Sequence, residues 1–266
     1  MDKTIELVNS IKDIQAMPSV IVRTLNLMKK PTVSMKELGD IVVYDQSLTI
    51  KILALVNSAY YGFSQQISSI SIALSLLGMV KVKNIIVAVA MKPMMSNAGD
   101  KELWKHSIRV AAGCEYLAKL TKIMDADEAF IAGFIHDVGK IVLHTSNPKM
   151  YSKVVDVVNS QSSDILDVEK HYFDSDHVKT GSLLAKRWQL PILLANVISY
   201  HHNPSLSSIP VPCSLVSLVD ALLQEVYNPN KIDKDFLKSL CIDIDDLEEL
   251  RNTIWQKAEL LISELT

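Results

Sequence analysis

Apolar residues recur along this chain at intervals of three and four, and sustained alternation of apolar with polar residues is almost absent. That spacing puts one apolar stripe on each of a succession of helices and leaves little from which to build a sheet, so the expected fold class is all-α. Ile5, Val8, Ile11 and Ile14 make the first stripe, and a second helix is expected over Ser19 to Lys30, with Pro18 near its start and Pro31 as its stop. Ser34 and Glu37 have the spacing of a capping box for a short helix ending near Tyr44, and Leu48, Ile52, Leu55 and Val56 mark the next. Asn57-Ser58 reads as a tie between side chain and backbone at a turn. Ser68 to Leu77 and Val80 to Met91 are further helical stretches, divided at Gly78, a natural C-cap position.

The polar run Ser96-Asn97-Ala98-Gly99-Asp100 is the expected boundary between an N-terminal helical lobe, 1–98, and a second lobe, 99–266. Composition changes across it: all 7 histidines, His106, His136, His144, His171, His177, His201 and His202, lie beyond it. Metal or acid-base chemistry is therefore expected in the second lobe. With 27 basic and 30 acidic side chains the net charge is -3, and no Lys/Arg stripe is interleaved with aromatics, which argues against a nucleic-acid partner. The most apolar segment, Ile85 to Ala90, is bracketed by Lys81, Lys83 and Lys92 and falls far short of the roughly 20 apolar residues of a membrane span. Met1 to Asp13 lacks the pattern of a signal peptide, and Cys114, Cys213 and Cys241 form no CxxC pair, so a cytoplasmic protein with reduced thiols and no membrane partner is expected.

In the second lobe, a helix over Glu102 to Leu120 carries His106, and one over Ala126 to Lys140 carries the doublet His136-Asp137. Adjacent residues can serve one metal only where a helix end or kink splays them around a common point, and Gly139 would permit such a kink. Pro212 to Leu223 is an apolar helix broken by one charge, Asp220, which must be hydrogen-bonded, paired or metal-bound. His177 and the pair His201-His202, the latter just after a helix over Pro191 to Tyr200, are additional candidate ligands. Imidazole with carboxylate suits a divalent ion such as Mn, Fe, Mg or Zn, while ordinary hydrogen bonding inside a core would use the same residue types. Lys140, one turn past Asp137, is a candidate phosphate contact, with Arg109 and Arg187 more remote. His144 and His171 read as surface or helix-terminal residues, and Trp104 and Trp188 as core anchors.

The ordered set His106, His136-Asp137 and Asp220 resembles the metal-binding set of the HD phosphohydrolase superfamily, and Trp104-Lys105-His106-Ser107-Ile108-Arg109-Val110-Ala111 resembles that superfamily's first helix. Met17-Pro18, Asp45-Gln46-Ser47-Leu48, Asn57-Ser58-Ala59-Tyr60 and Ile70-Ser71-Ile72-Ala73-Leu74-Ser75-Leu76-Leu77-Gly78 narrow the match, because together they resemble the HDOD family of HD-related output domains. The resemblance implies a helical bundle joined to an HD-like bundle, acting as a bacterial signalling module through protein contacts and without turnover. Its partners would be signalling proteins supplied on another chain, and the sequence leaves the oligomeric state open. The alternative is a metal-dependent phosphohydrolase acting on a nucleotide or cyclic dinucleotide. His177, Gly181, His201 and His202 also resemble positions of the HD-GYP cyclic-dinucleotide phosphodiesterases, but Asn203-Pro204-Ser205 stands where those enzymes continue with Glu and a Gly-Tyr-Pro element.

Overall fold

The computed structural model describes residues 3–11, 19–28, 34–43, 45–58, 63–97, 101–161, 163–224 and 232–265, and every regular element in them is a helix. Ile14, Met17-Pro18, the stop at Pro31, the helix end at Tyr44, Ala59-Tyr60 and residues 98–100 of the expected boundary lie outside the described residues. In chain order the α-helices are α1 (Lys3–Ser10), α2 (Ser19–Met28), α3 (Met35–Val43), α4 (Gln46–Val56) and α5 (Ile70–Asn97). They continue with α6 (Lys101–Thr121), α7 (Ala126–Ile135), α8 (Gly139–Ser146), α9 (Pro148–Gln161) and α10 (Ile165–Phe173). The last are α11 (His177–Arg187), α12 (Ile192–Tyr200), α13 (Pro210–Leu223), α14 (Lys234–Ser239) and α15 (Leu247–Leu265). No single helix among the described residues is long and apolar enough to cross a membrane.

The chain divides into two compact units, one of Met1–Ala16 with Met94–Trp255 and the other of Met17–Pro93 with Gln256–Thr266. In the second of these, Ser34 and Glu37 make the expected capping box: the Ser34 N–H donates to Glu37 Oε2 at 2.9 Å and the Glu37 N–H to Ser34 Oγ at 3.2 Å. Asn57 ties the end of α4 to the approach to α5, donating to the Ile67 carbonyl at 2.8 Å and accepting the Ile67 N–H at 2.7 Å. Gly78, at φ 78° and ψ 160°, breaks α5, and the segments before and after it are bent by 106°. Only glycine reaches that backbone region without strain. Beyond the bend Ile85, Ile86, Val87, Ala88 and Val89 are all buried, as a helix apolar around its circumference requires.

This division differs from one cut near residue 98 in where it places the two chain ends. Helix α1 belongs with the histidine-bearing unit, because Thr4 Oγ1 and Ser175 Oγ share a buried hydrogen bond of 2.9 Å and Arg187 donates to Asn9 Oδ1. Leu7 adds to the apolar cluster of Leu143, Tyr151, Val154, Val168 and Phe173. At the other end the ammonium groups of Lys51 and Lys92 both donate to the Leu265 carbonyl, at 3.0 and 2.9 Å, and tie the last turn of α15 into the unit that holds α2 to α4.

Helix α7 is the axis of the histidine-bearing unit. Every residue from Ala129 to Ile135 is buried, with α6, α12 and α13 packed against it. The residues that come after α7 are thereby delivered into the interior. The helix expected over Ala126 to Lys140 is interrupted at the doublet, as the helix end or kink expected there requires. Bonds from the Val138 N–H to the Ile135 carbonyl, at 3.0 Å, and from the Lys140 N–H to the Asp137 carbonyl, at 2.9 Å, tighten the chain to a three-residue repeat before α8 begins. Gly139 does not make this turn. It is required by close approach, since a Cβ there would lie 1.9 Å from the His177 carbonyl oxygen and 2.6 Å from the Gly181 nitrogen. Gly139→Ala should therefore part α8 from α11 and destabilise the protein by about 3 kcal/mol or more, read as a lower urea midpoint at unchanged slope.

Candidate metal centre

The tight turn after α7 splays His136 and Asp137 toward one point in the core, where both are 1% exposed. Helix α6 brings His106, and α13 brings Asp220 as the one charge among the buried Cys213, Leu215, Val216, Leu218, Val219, Leu222 and Leu223. His177 is the first residue of α11, and His201-His202 directly follow α12. All seven expected ligands converge. His106 Nε2 lies 3.0 Å from Asp220 Oδ1 and 3.6 Å from Asp137 Oδ2, and His136 Nε2 lies 3.2 Å from Asp137 Oδ2 and 3.9 Å from Asp220 Oδ1. On the other side of the same carboxylate, Asp137 Oδ1 is 3.3 Å from His177 Nε2 and 3.7 Å from His201 Nε2. His177 Nε2 in turn is 3.4 Å from His201 Nε2 and 3.1 Å from His202 Nε2. Asp137 therefore joins two groups, His106 with His136 and Asp137 itself, and His177 with His201 and His202, each with ligand atoms within 4.8 Å of one another.

The rings are oriented by what their outer nitrogens touch. His136 Nδ1 donates to the Gly133 carbonyl at 2.7 Å and His201 Nδ1 to the Val197 carbonyl at 3.0 Å, so the neutral form of each ring presents an Nε2 lone pair to the centre. His177 Nδ1 faces Glu169 Oε2 at 2.7 Å, with the same result. No hydrogen bond of good geometry reaches His106 Nε2, His136 Nε2 or Asp137 Oδ1, although each lies 3.0–3.3 Å from an imidazole or carboxylate atom of the cluster. A cation would satisfy several of these atoms at once. This donor set fits a divalent ion, and either group could hold one.

Burial works against ionisation throughout, and charge decides the outcome. Burial opposes a charged Asp137, but His136 and Lys140 hold its carboxyl well below the usual range. Burial likewise opposes a charged Asp220, and His106 and then His136 hold it far below. His136 is raised because Asp137 and Asp220 outweigh its burial. His201 is lowered chiefly by burial, and His202 is pushed down to about 2 by burial and then by His201 and His177.

Lys140, expected to meet a phosphate, has its ammonium on Asp137 Oδ2, with 16% of its side chain exposed. Arg109 lies over the Trp255 ring at 4.4 Å, and Arg187 is engaged with Asn9. His144 ends α8 as expected but is buried rather than on the surface, its ring 5.1 Å from that of Tyr151, while His171 is exposed. Trp104 is buried and Trp188 half-buried. Two residues at the centre were not expected from the sequence: Glu169, fully buried in α10, and Tyr151, whose hydroxyl donates to Glu169 Oε1 at 3.2 Å. Helical spacing puts Glu169 on the inward face with Ile165 and Phe173, but Lys170 and His171 beside it resemble a solvated helix end.

The unit thus gathers His from α6, His-Asp from the turn after α7 and Asp from α13 around one carboxylate, the order and arrangement of an HD-type site. A family model described as the HDOD domain matches residues 14–204, and the chain belongs to that family. Among solved structures, an HDOD domain protein of Geobacter sulfurreducens shares the fold at a TM-score of 0.80 and 22% identity, covering 96% of this chain and 97% of its own. A candidate signal transduction protein of Marinobacter aquaeolei VT8 (TM-score 0.79, 20% identity, 94% of this chain and 58% of its own) and a candidate phosphohydrolase of Shewanella amazonensis SB2B (0.74, 19%, 99% and 98%) share it too. An uncharacterised protein of Treponema pallidum is 27% identical over 201 residues, 74% of this chain but only 39% of that protein, so the chain spans about two fifths of that relative.

The shifts set a pH dependence for the metal-free protein. His201 and His202, held neutral, support the native state above the ordinary histidine value of 6.5 and withdraw that support as pH falls below it. His136, raised, does the reverse: its contribution is full below 6.5 and is lost as pH rises through its folded value. Two groups oppose one, so the melting temperature should fall on acidification from about pH 7 to 5, and His202→Asn should flatten the slope. A melting temperature that rises over that range would contradict this assignment.

Proposed function

We propose that this HDOD protein is a metal-responsive signalling module: a divalent ion held about Asp137 sets the state of the helices that bear its ligands, and a protein partner reads that state. The observation that carries the reading is the origin of the ligands. His106, His136-Asp137, His177, His201-His202 and Asp220 come from five separate places in the helical bundle, so an ion would fix α6, the end of α7, α11, α12 and α13 against one another. Two of those elements also carry exposed apolar side chains, Ile192 on α12 and Val211 on α13, and Leu206 lies in the turn between them. That turn is tied to α12 by Ser207 Oγ donating to Asn196 Oδ1 at 2.9 Å. Exposed apolar groups on elements that bear or adjoin metal ligands suit a contact surface coupled to the centre. The nitrogen-rich donors favour Mn, Fe or Zn over Mg, which prefers oxygen.

A second reading, a metal-dependent phosphohydrolase, is favoured by the exposure of one edge of the centre: the side chains of His106 and Asp220 are 23% and 14% exposed. An ion there would supply a Lewis acid and an acidified water. Lys140, released from Asp137 when that carboxylate binds a cation, would then be free to meet a phosphoryl oxygen. Cyclic di-GMP is disfavoured as substrate, because Asn203-Pro204-Ser205 departs from the Glu and Gly-Tyr-Pro continuation of the phosphodiesterases.

Protein purified without chelator or affinity metal and then offered Mn, Fe or Zn should retain a divalent ion and melt at a higher temperature, reversibly with chelator. Asp220→Ala should weaken uptake by well over tenfold. Protein that stays metal-free after all three incubations would overturn the metal reading. Hydrolysis of cyclic di-GMP should be undetectable, and turnover of any phosphate ester that disappears in Asp137→Ala would decide for the enzyme.

The contact surface has its own check. Ile192→Lys with Leu206→Asp should leave metal uptake and melting temperature unchanged while abolishing output in cells. Output that survives this pair would remove the surface from the account.

A further inference from the structure

Resting on the metal-centre reading, we propose that Glu169 is the positioning residue of His177 in the histidine-rich half of the centre: by accepting the Nδ1–H of His177 it fixes the tautomer in which His177 joins His201 and His202 in taking up a cation. The histidines differ in where they sit on their helices. His136 and His201 follow helices, so a carbonyl three or four residues back in the same chain, Gly133 or Val197, is in place to accept the outer N–H. His177 opens α11 and has no preceding turn of that helix behind it. Its outer nitrogen would have no local acceptor, and its backbone N–H is one of the unsatisfied donors of a helix start.

Glu169, from α10, meets both needs with one oxygen. Oε2 accepts the His177 backbone N–H at 2.8 Å and faces the ring Nδ1 at 2.7 Å. A carboxylate only accepts, so the ring nitrogen opposite it carries the proton, and the Nε2 lone pair is left for the centre. The other oxygen, Oε1, accepts the Tyr151 hydroxyl from α9, and Tyr151 is itself held in the apolar cluster with Leu143, Val154, Val168 and Phe173. Glu169 is fully buried and cannot swing to solvent. His136 and His201 are thus oriented by backbone carbonyls, and His177 alone of the three by a buried side chain that substitution can change.

Two measurements on the full chain test this. In long-range proton–nitrogen spectra of the metal-free protein, His177 should be a single Nδ1–H tautomer in the wild type and in Glu169→Gln, whose amide oxygen can still accept, and should lose that state in Glu169→Ala. In titrations with Co(II) as the probe, Glu169→Ala should weaken uptake by the histidine-rich half about tenfold to a hundredfold and change the absorption spectrum of that ion, and Glu169→Gln should recover most of the loss. Tyr151→Phe, which leaves both His177 bonds in place, should weaken it less. An Nε2–H tautomer of His177 in the wild type would overturn the proposal even if Glu169→Ala does not fold, and so would a folded Glu169→Ala with wild-type affinity and spectrum. A wild type that binds no metal but shows the Nδ1–H tautomer lost in Glu169→Ala would sink the metal reading and leave the positioning role standing.

Discussion

One buried carboxylate organises the histidine-bearing unit. Asp137 is 1% exposed and meets imidazole nitrogens on both oxygens, His106 and His136 toward Oδ2, His177 and His201 toward Oδ1. A charge so placed is tolerated only when compensated on every side. In the metal-free protein Lys140 contributes to that compensation through Oδ2, and no hydrogen bond of good geometry reaches Oδ1. The helix packing obeys the same requirement: α7 must end inside the unit, α8 must touch α11 at Gly139, and α13 must carry Asp220 along an otherwise apolar face.

The outer ring nitrogens show how the cluster is suited to a cation. Two are satisfied by carbonyls of the preceding helical turn and a third by Glu169, and the neutral form of each ring leaves a lone pair aimed inward. A buried histidine serving only the core would more readily use its second nitrogen as well. Here three inward atoms lack a hydrogen bond of good geometry and face imidazole or carboxylate atoms as ion pairs at 3.0–3.3 Å, an arrangement that a cation would also satisfy.

Periodicity was enough to read the all-α fold, because local spacing decides helix content. The Ser34 to Glu37 box and the break at Gly78 were legible for the same reason. The seven candidate ligands could be picked out because charged and imidazole groups inside apolar helices are costly and stand out, as Asp220 does in α13. What escaped depends on single contacts between residues far apart in sequence: Thr4 with Ser175 and Lys51 with Leu265 assign the chain ends, and no local pattern encodes them. Glu169 escaped because its neighbours Lys170 and His171 mask its inward face. Gly139 was legible as a special glycine, but for a backbone freedom it does not use; its role is room for another helix.

The central claim is that the lone pairs around Asp137 are a cation site. Anomalous diffraction from crystals grown with Mn or Zn tests it most directly, because it locates the ion without reference to activity. The account predicts an anomalous peak bonded to an Asp137 oxygen and to Nε2 of His106 and His136, of His177, His201 and His202, or of both groups, at the ~2.0–2.2 Å expected of such ligands. An ion bound elsewhere with the Lys140 to Asp137 bond intact, or no peak at all in metal-soaked crystals, would contradict it.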